Sequence, residues 1–133
     1  MTLTSGGNDL RDLTEHERAV LGFLLDGEWD GAAALREQLA SAKHAGLWRP
    51  ASASFYIAVA ADVPRAAVTG DSMPECVVSG SDGRAVGELF LKVEDGVLVA
   101  LECSTFDGDP SALPPLEWLV SHADFDLRGC TPF

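Results

Sequence analysis

A chain of 133 residues is long enough to bury roughly two thirds of the surface its unfolded form exposes, so one domain with a hydrophobic core needs no disulfide or metal staple. Hydrophobic residues make up 47% and charged residues 23% of it, which excludes a disordered or fibrous chain. Twenty-one acids against nine bases leave a formal charge of −12, a balance that repels phosphate and excludes nucleic acid as a partner.

Residues 1–12 read as a flexible N-terminal arm, followed by a single α+β domain over 13–133. The start lacks the basic and apolar regions of an export signal, and the longest apolar run, Ala19 to Leu25, is far shorter than the roughly 20 residues that cross a bilayer. A cytoplasmic protein that does not span a membrane is therefore expected. Thr14-Glu15-His16-Glu17 is a capping-box pattern, because the Thr14 hydroxyl can accept from the Glu17 amide while the Glu17 carboxylate reaches back. It predicts a helix over about 15–26, with Val20, Phe23 and Leu24 on its apolar stripe and Gly27 as a left-handed stop. A second helix is expected from a cap at Asp30 through Ala42, with Leu35, Leu39 and Ala42 on one face. Lys43 and His44 would then complement its C-terminal dipole, and Gly46 would end it.

From Ser54 the apolar period changes to alternation, with Phe55, Ile57 and Val59 on one face of a strand. Asp62-Val63-Pro64 ends that strand, and an irregular connection follows through Gly70 and Pro74. Cys76-Val77-Val78 leads into a long strand around Val86 to Val93, and Asp95-Gly96 marks a tight hairpin, since a type I′ turn needs positive φ at both central residues. A regular ladder from that turn pairs Glu94 with Val97, Val93 with Leu98, Leu91 with Ala100 and Leu89 with Glu102. Phe90 and Lys92 fall on the opposite face. Glu102 thereby ends an apolar row and becomes a candidate buried charge. In the tail, Pro115 can open a short helix carrying Leu116, Leu119 and Val120 inward. The expected fold is an antiparallel helix pair packed on a short antiparallel β-meander of about four strands, closed by a short C-terminal helix.

Two stretches, Leu13-Thr-Glu-His-Glu-Arg-Ala-Val-Leu21 with Gly31 to Leu39, and Val86 to Glu102 with its Asp-Gly bend, resemble small uncharacterised actinobacterial α+β proteins, distantly immunity-protein-like. The likeness covers about two thirds of the chain and implies a protein-binding role by analogy alone. It brings no activity, cofactor or catalytic residue onto positions here.

Chemistry-bearing patterns are sparse. His122, Asp124 and Asp126 alternate, so on a strand they would share a side and present weak metal-ligand candidates; a solvated loop after a helix is the plainer reading. Cys103 with His122 or His44 would make a cysteine nucleophile, but no motif marks it, and a small packing residue is the commoner role. Cys76, Cys103 and Cys130 show no Cys-x-x-Cys spacing, so neither a zinc ribbon nor a disulfide framework is indicated. No cofactor is expected. From Glu94 onward eight acids are opposed by one base, Arg128, which favours a basic protein partner. Glu94, Asp95, Asp107, Asp109 and the boundary residue Trp48 are the candidate contacts. The leading expectation is a non-catalytic protein-binding module, immunity-like or regulatory. The alternatives are a small hydrolase or metal-dependent enzyme using Glu102, His122, Asp124 and Asp126, and a small-molecule sensor with a pocket between helices and sheet.

Overall fold

The computed structural model describes residues 10–27, 31–48, 50, 52–67, 74–80, 82–106, 110 and 112–121. Among these, the elements in chain order are β1 (Arg11–Asp12), α1 (Glu15–Leu24), α2 (Ala32–Leu39), β2 (Lys43–Leu47), β3 (Phe55–Ala58), β4 (Glu75–Ser79), β5 (Ala85–Glu94), β6 (Val97–Thr105) and β7 (Leu119–Val120). The described strands make one seven-stranded antiparallel sheet in the spatial order β1-β2-β3-β6-β5-β4-β7. This overturns the expected four-strand meander with a C-terminal helix: the meander β4-β5-β6 is present, but it is extended on both sides.

Three local decisions account for the difference. The second helix stops at Leu39, where the Ala40, Ser41 and Ala42 amides tighten to carbonyls three residues back. Lys43 and His44 then enter a strand and do not act as dipole partners. His44 is 5% exposed, with its ring stacked on Phe55 at 4.5 Å, so tertiary packing outweighs helix propensity there. Gly46, with φ 120, serves an irregularity in the β2–β3 pairing and does not cap a helix. In the tail, Pro115 adopts an extended ψ of 146, leaving only a 3-10 turn at Leu116–Trp118 before Leu119 and Val120 join the ladder opposite Val78 and Val77. At the other end, the arm expected over 1–12 contributes β1: Arg11 and Asp12 pair with His44 and Lys43. Asp30, the expected second cap, lies outside the described residues; Gly31 occupies the N-cap with φ 95.

The first helix follows its sequence signals. Both capping-box bonds form, Glu17 N to Thr14 Oγ1 at 3.0 Å and Thr14 N to Glu17 Oε1 at 2.9 Å. The two helices also cap one another's C-termini. Arg36 Nη1 of α2 donates to Leu25 O at 2.7 Å and Gly27 O at 2.8 Å, beyond α1, while Arg18 Nη1 of α1 donates to Leu39 O at 3.1 Å.

The helices cover one face of the sheet. Val20, Leu21, Leu24 and Leu25 of the α1 region and Leu35 of α2 join Phe55, Leu89, Leu91, Leu98 and Leu101 in one core cluster. Each such side chain contributes about 1.5–3 kcal/mol of burial. At the centre lies a polar exception, Gln38, 0% exposed, whose Nε2 donates to Pro64 O at 2.8 Å and Gly96 O at 2.7 Å while its Oε1 accepts from Leu98 N at 2.9 Å. It ties α2 to the β5–β6 turn and to the segment after β3.

The turn itself is as the Asp-Gly pair requires, with φ 53 at Asp95 and 76 at Gly96, and it pairs Glu94 with Val97 and Val93 with Leu98. Beyond that the ladder shifts. Lys92 faces Ala100, Leu91 faces Leu101, Phe90 faces Glu102 and Leu89 faces Cys103, so Val99 is an extra residue on β6. The expected Leu91–Ala100 and Leu89–Glu102 pairs are thus corrected by one position, and Leu101 and Cys103 replace Ala100 and Glu102 on the core side.

Candidate interaction face

Residues directly opposite in an antiparallel ladder share a face, so the register also defines the side of the sheet away from the helices. Three of the cross-strand rows on that side span β5 and its neighbours. The first runs Tyr56, Ala100, Lys92 across β3, β6 and β5; the second Glu102, Phe90, Glu75 across β6, β5 and β4; the third Ser104, Glu88, Val77, Val120 across β6, β5, β4 and β7. The Val77 and Val120 side chains form, with Ala85, a small apolar cluster separate from the main core. Tyr56 is 50% exposed, Glu75 is exposed, and Phe90 is half-buried.

Glu102 is not a buried charge. The Val99 bulge moves it to this outer face, where its side chain is 33% exposed and lies 3.7 Å from Lys92 Nζ. The same ammonium sits 4.9 Å from the centre of the Trp48 ring, which in turn tilts against Tyr56 with centroids 6.1 Å apart. Trp48 follows β2 and is held to the start of β3 by its amide, which donates to Ser54 O at 3.1 Å. It is half-buried, and its indole N–H, fully shielded, has no acceptor among the described residues. Aromatic rings, an ammonium and carboxylates therefore interleave over neighbouring strands.

Of the remaining sequence candidates, Glu94 and Asp95 are exposed at the hairpin tip, where Arg65 Nη1 donates to the Asp95 carbonyl at 2.8 Å. His122, Asp124 and Asp126, together with Asp107 and Asp109, lie outside the described residues. Among the described residues, no three His, Cys, Asp or Glu side chains gather in a way that could hold a metal ion. Cys103 and Cys76 are buried on the core face. Burial, and then the neighbouring Cys103, Glu75 and Glu88, push the Cys76 thiol up to about 12, the opposite of what a nucleophile needs. Cys103 is fixed through its backbone: its N donates to Ser54 Oγ at 2.8 Å, and that hydroxyl donates to Cys103 O at 3.3 Å. His44, the other proposed partner, is stacked in the core beside Phe55, with Gly46 N donating to its Nδ1 at 3.2 Å.

Sequence reasoning placed Phe90 and Lys92 on the second face but missed their grouping with Glu102, Glu75, Tyr56 and Trp48. The signal for that grouping was the awkward carboxylate itself: a bulge between Gly96 and Glu102 is the simplest way to turn it outward. Comparison of the chain with protein-family models, with curated proteins and with solved structures returns no match.

Proposed function

We propose that this chain is a non-catalytic protein-binding module, immunity-like or regulatory in kind, that meets its partner with the outer face of the sheet. The reading rests on one observation: Tyr56, Trp48, Phe90, Lys92, Glu102 and Glu75 interleave on strands β3, β5, β6 and β4 and the β2–β3 loop, on the side opposite the helices. Tyrosine, tryptophan and phenylalanine supply large contact areas at low entropic cost, and a rigid sheet presents them without reorganisation. The chain's −12 charge favours encounter with a basic partner over an acidic one, at a rate that falls with added salt.

Affinity capture from the source cells at low and high salt, followed by hydrogen-exchange footprinting of the retained complex, tests this. Protection confined to β3, β4, β5 and β6 with the Trp48 loop is the expected result. A footprint on α1 and α2 instead, or no retained protein at either salt concentration, overturns the reading.

A further inference from the structure

We infer that the partner's contact on this face is a cationic side chain, an arginine or lysine of a basic polypeptide segment, seated over Phe90 beside Glu75. This deepens the protein-binding reading and rests on it. In the row Glu102, Phe90, Glu75 the aromatic residue lies directly between two acidic residues on its neighbouring strands, their backbones each about 5 Å from its own across the ladder. The face already shows how it treats a cation. Lys92 lies over the Trp48 ring at 4.9 Å with Glu102 at 3.7 Å, a ring beneath an ammonium and a carboxylate beside it. Phe90 and Glu75 repeat that pairing of ring and carboxylate on the adjacent strands. Glu102 is shared with Lys92, whereas the Glu75 carboxylate stands exposed at the end of the row.

Charge selects the occupant. A second copy of this chain would bring another acidic surface, at −12, onto the same carboxylates, and a phosphate-bearing ligand would be repelled in the same way. A basic segment is attracted by both terms, and arginine adds a planar group that stacks on a phenyl ring. An extended segment suits the face, because alternate side chains of a strand point the same way and so reach successive rows.

The test titrates the full chain with a synthetic peptide of alternating arginine and serine, followed by amide chemical shifts at low salt, against a control peptide of alternating glutamate and serine. The arginine peptide is expected to shift the resonances of Glu75, Phe90 and Glu102 and the control to leave them in place. Phe90→Leu and Glu75→Gln are each expected to weaken binding about threefold, and together about tenfold, the scale of an exposed cation–π contact plus an exposed ion pair. Glu37→Gln, on the exposed side of α2, is expected to change nothing. Equal weakening by Glu37→Gln and Glu75→Gln would show diffuse charge attraction and overturn the inference. So would a complex from cells that is footprinted on β3, β4, β5 and β6 while the arginine peptide leaves the Phe90 row unshifted, a result under which the broader protein-binding reading survives. Glu75→Gln alters only an exposed side chain at the sheet surface, so its result does not depend on the tolerance of Phe90→Leu.

Discussion

Replacing Gln38 by leucine sets two effects of opposite sign against each other. Leucine has nearly the same volume and is more hydrophobic, so at a position 0% exposed the transfer term favours it. The substitution also removes the partner of three backbone groups. The Gly96 carbonyl keeps the Ala66 amide, which donates to it at 2.9 Å, and the Pro64 carbonyl belongs to an exposed residue that water can reach. The Leu98 amide has neither recourse, since Leu98 is 1% exposed and its hydrogen bond is to Gln38 Oε1. Stranding one buried donor costs about 1–3 kcal/mol, and losing the other two bonds costs about 1 kcal/mol each before water compensates. Leucine recovers about 1 kcal/mol by transfer. The expected net loss is about 2–3 kcal/mol, or a Tm lowered by roughly 6–12 °C for a domain of this size. Urea unfolding followed by tryptophan fluorescence measures it, with an unchanged m-value as the sign that the native state alone is affected. A Gln38→Leu protein as stable as the parent, or more stable, would show that the buried amide clamp is not what holds the hairpin turn to α2.

Gly22 lies inside α1, and a Cβ added there meets nothing within 4 Å, so Gly22→Ala is expected to stabilise the chain by about 0.5–1 kcal/mol, read as a raised Tm. Glu17 carries a pH dependence. Burial raises its pKa, but the hydrogen bonds from Arg11 and the Thr14 amide and the charge of Arg11 outweigh burial and hold it below the ordinary 4.5. A depressed carboxylate stabilises the fold above its unfolded pKa and loses that contribution as pH falls through the folded value. Thermal melts should therefore show Glu17→Gln less stable than the parent at neutral pH, with the gap closing below 4.5; a gap that persists in acid would assign the effect to packing. Cys76, with its thiol pushed to about 12, should resist an alkylating reagent at neutral pH in the native protein and react on unfolding, as mass spectrometry of the labelled peptide can show.

The elements legible in the sequence are those whose cause is local. Thr14 and Glu17 carry both halves of a capping box, and Asp95-Gly96 carries the dihedral demand of its turn, so α1 and the β5–β6 hairpin follow without knowledge of the rest of the chain. β2 is not local in this sense. Lys43-His44-Ala45-Gly46-Leu47 has no strand pattern, and it becomes a strand because His44 stacks on Phe55 and because β1 and β3 pair with it from both sides. β7 is similar: two residues after a proline pair and a 3-10 turn form a strand only because β4 has a ladder to offer. The candidate face was obscured for the same reason, since its members come from different strands and their grouping depends on register.

One residue governs that register, and its removal is the sharpest test of it. With Val99 present, a regular ladder from the Asp95-Gly96 turn would place Ala100 and Glu102 inward and Leu101 and Cys103 outward, burying a carboxylate beside Leu89 at a cost of several kcal/mol. The bulge avoids this by letting one residue go unpaired, so that Leu98, Leu101 and Cys103 all face the core. Deleting Val99 leaves every other pair in place: Leu98 still meets Val93, Ala100 meets Lys92, Leu101 meets Leu91 and Cys103 meets Leu89. The shortened chain is therefore expected to melt cooperatively, with a loss of about 1–2 kcal/mol from the altered twist and the missing Val99 contacts. Deleting Glu102 removes one residue from the same strand but turns Cys103 outward and Ser104 inward opposite Leu89, and it is expected to cost well over 3 kcal/mol. If the two deletions destabilise equally, or if the loss of Val99 is the worse, then the bulge is not what keeps Glu102 on the outer face, and the row it forms with Phe90 and Glu75 has another origin.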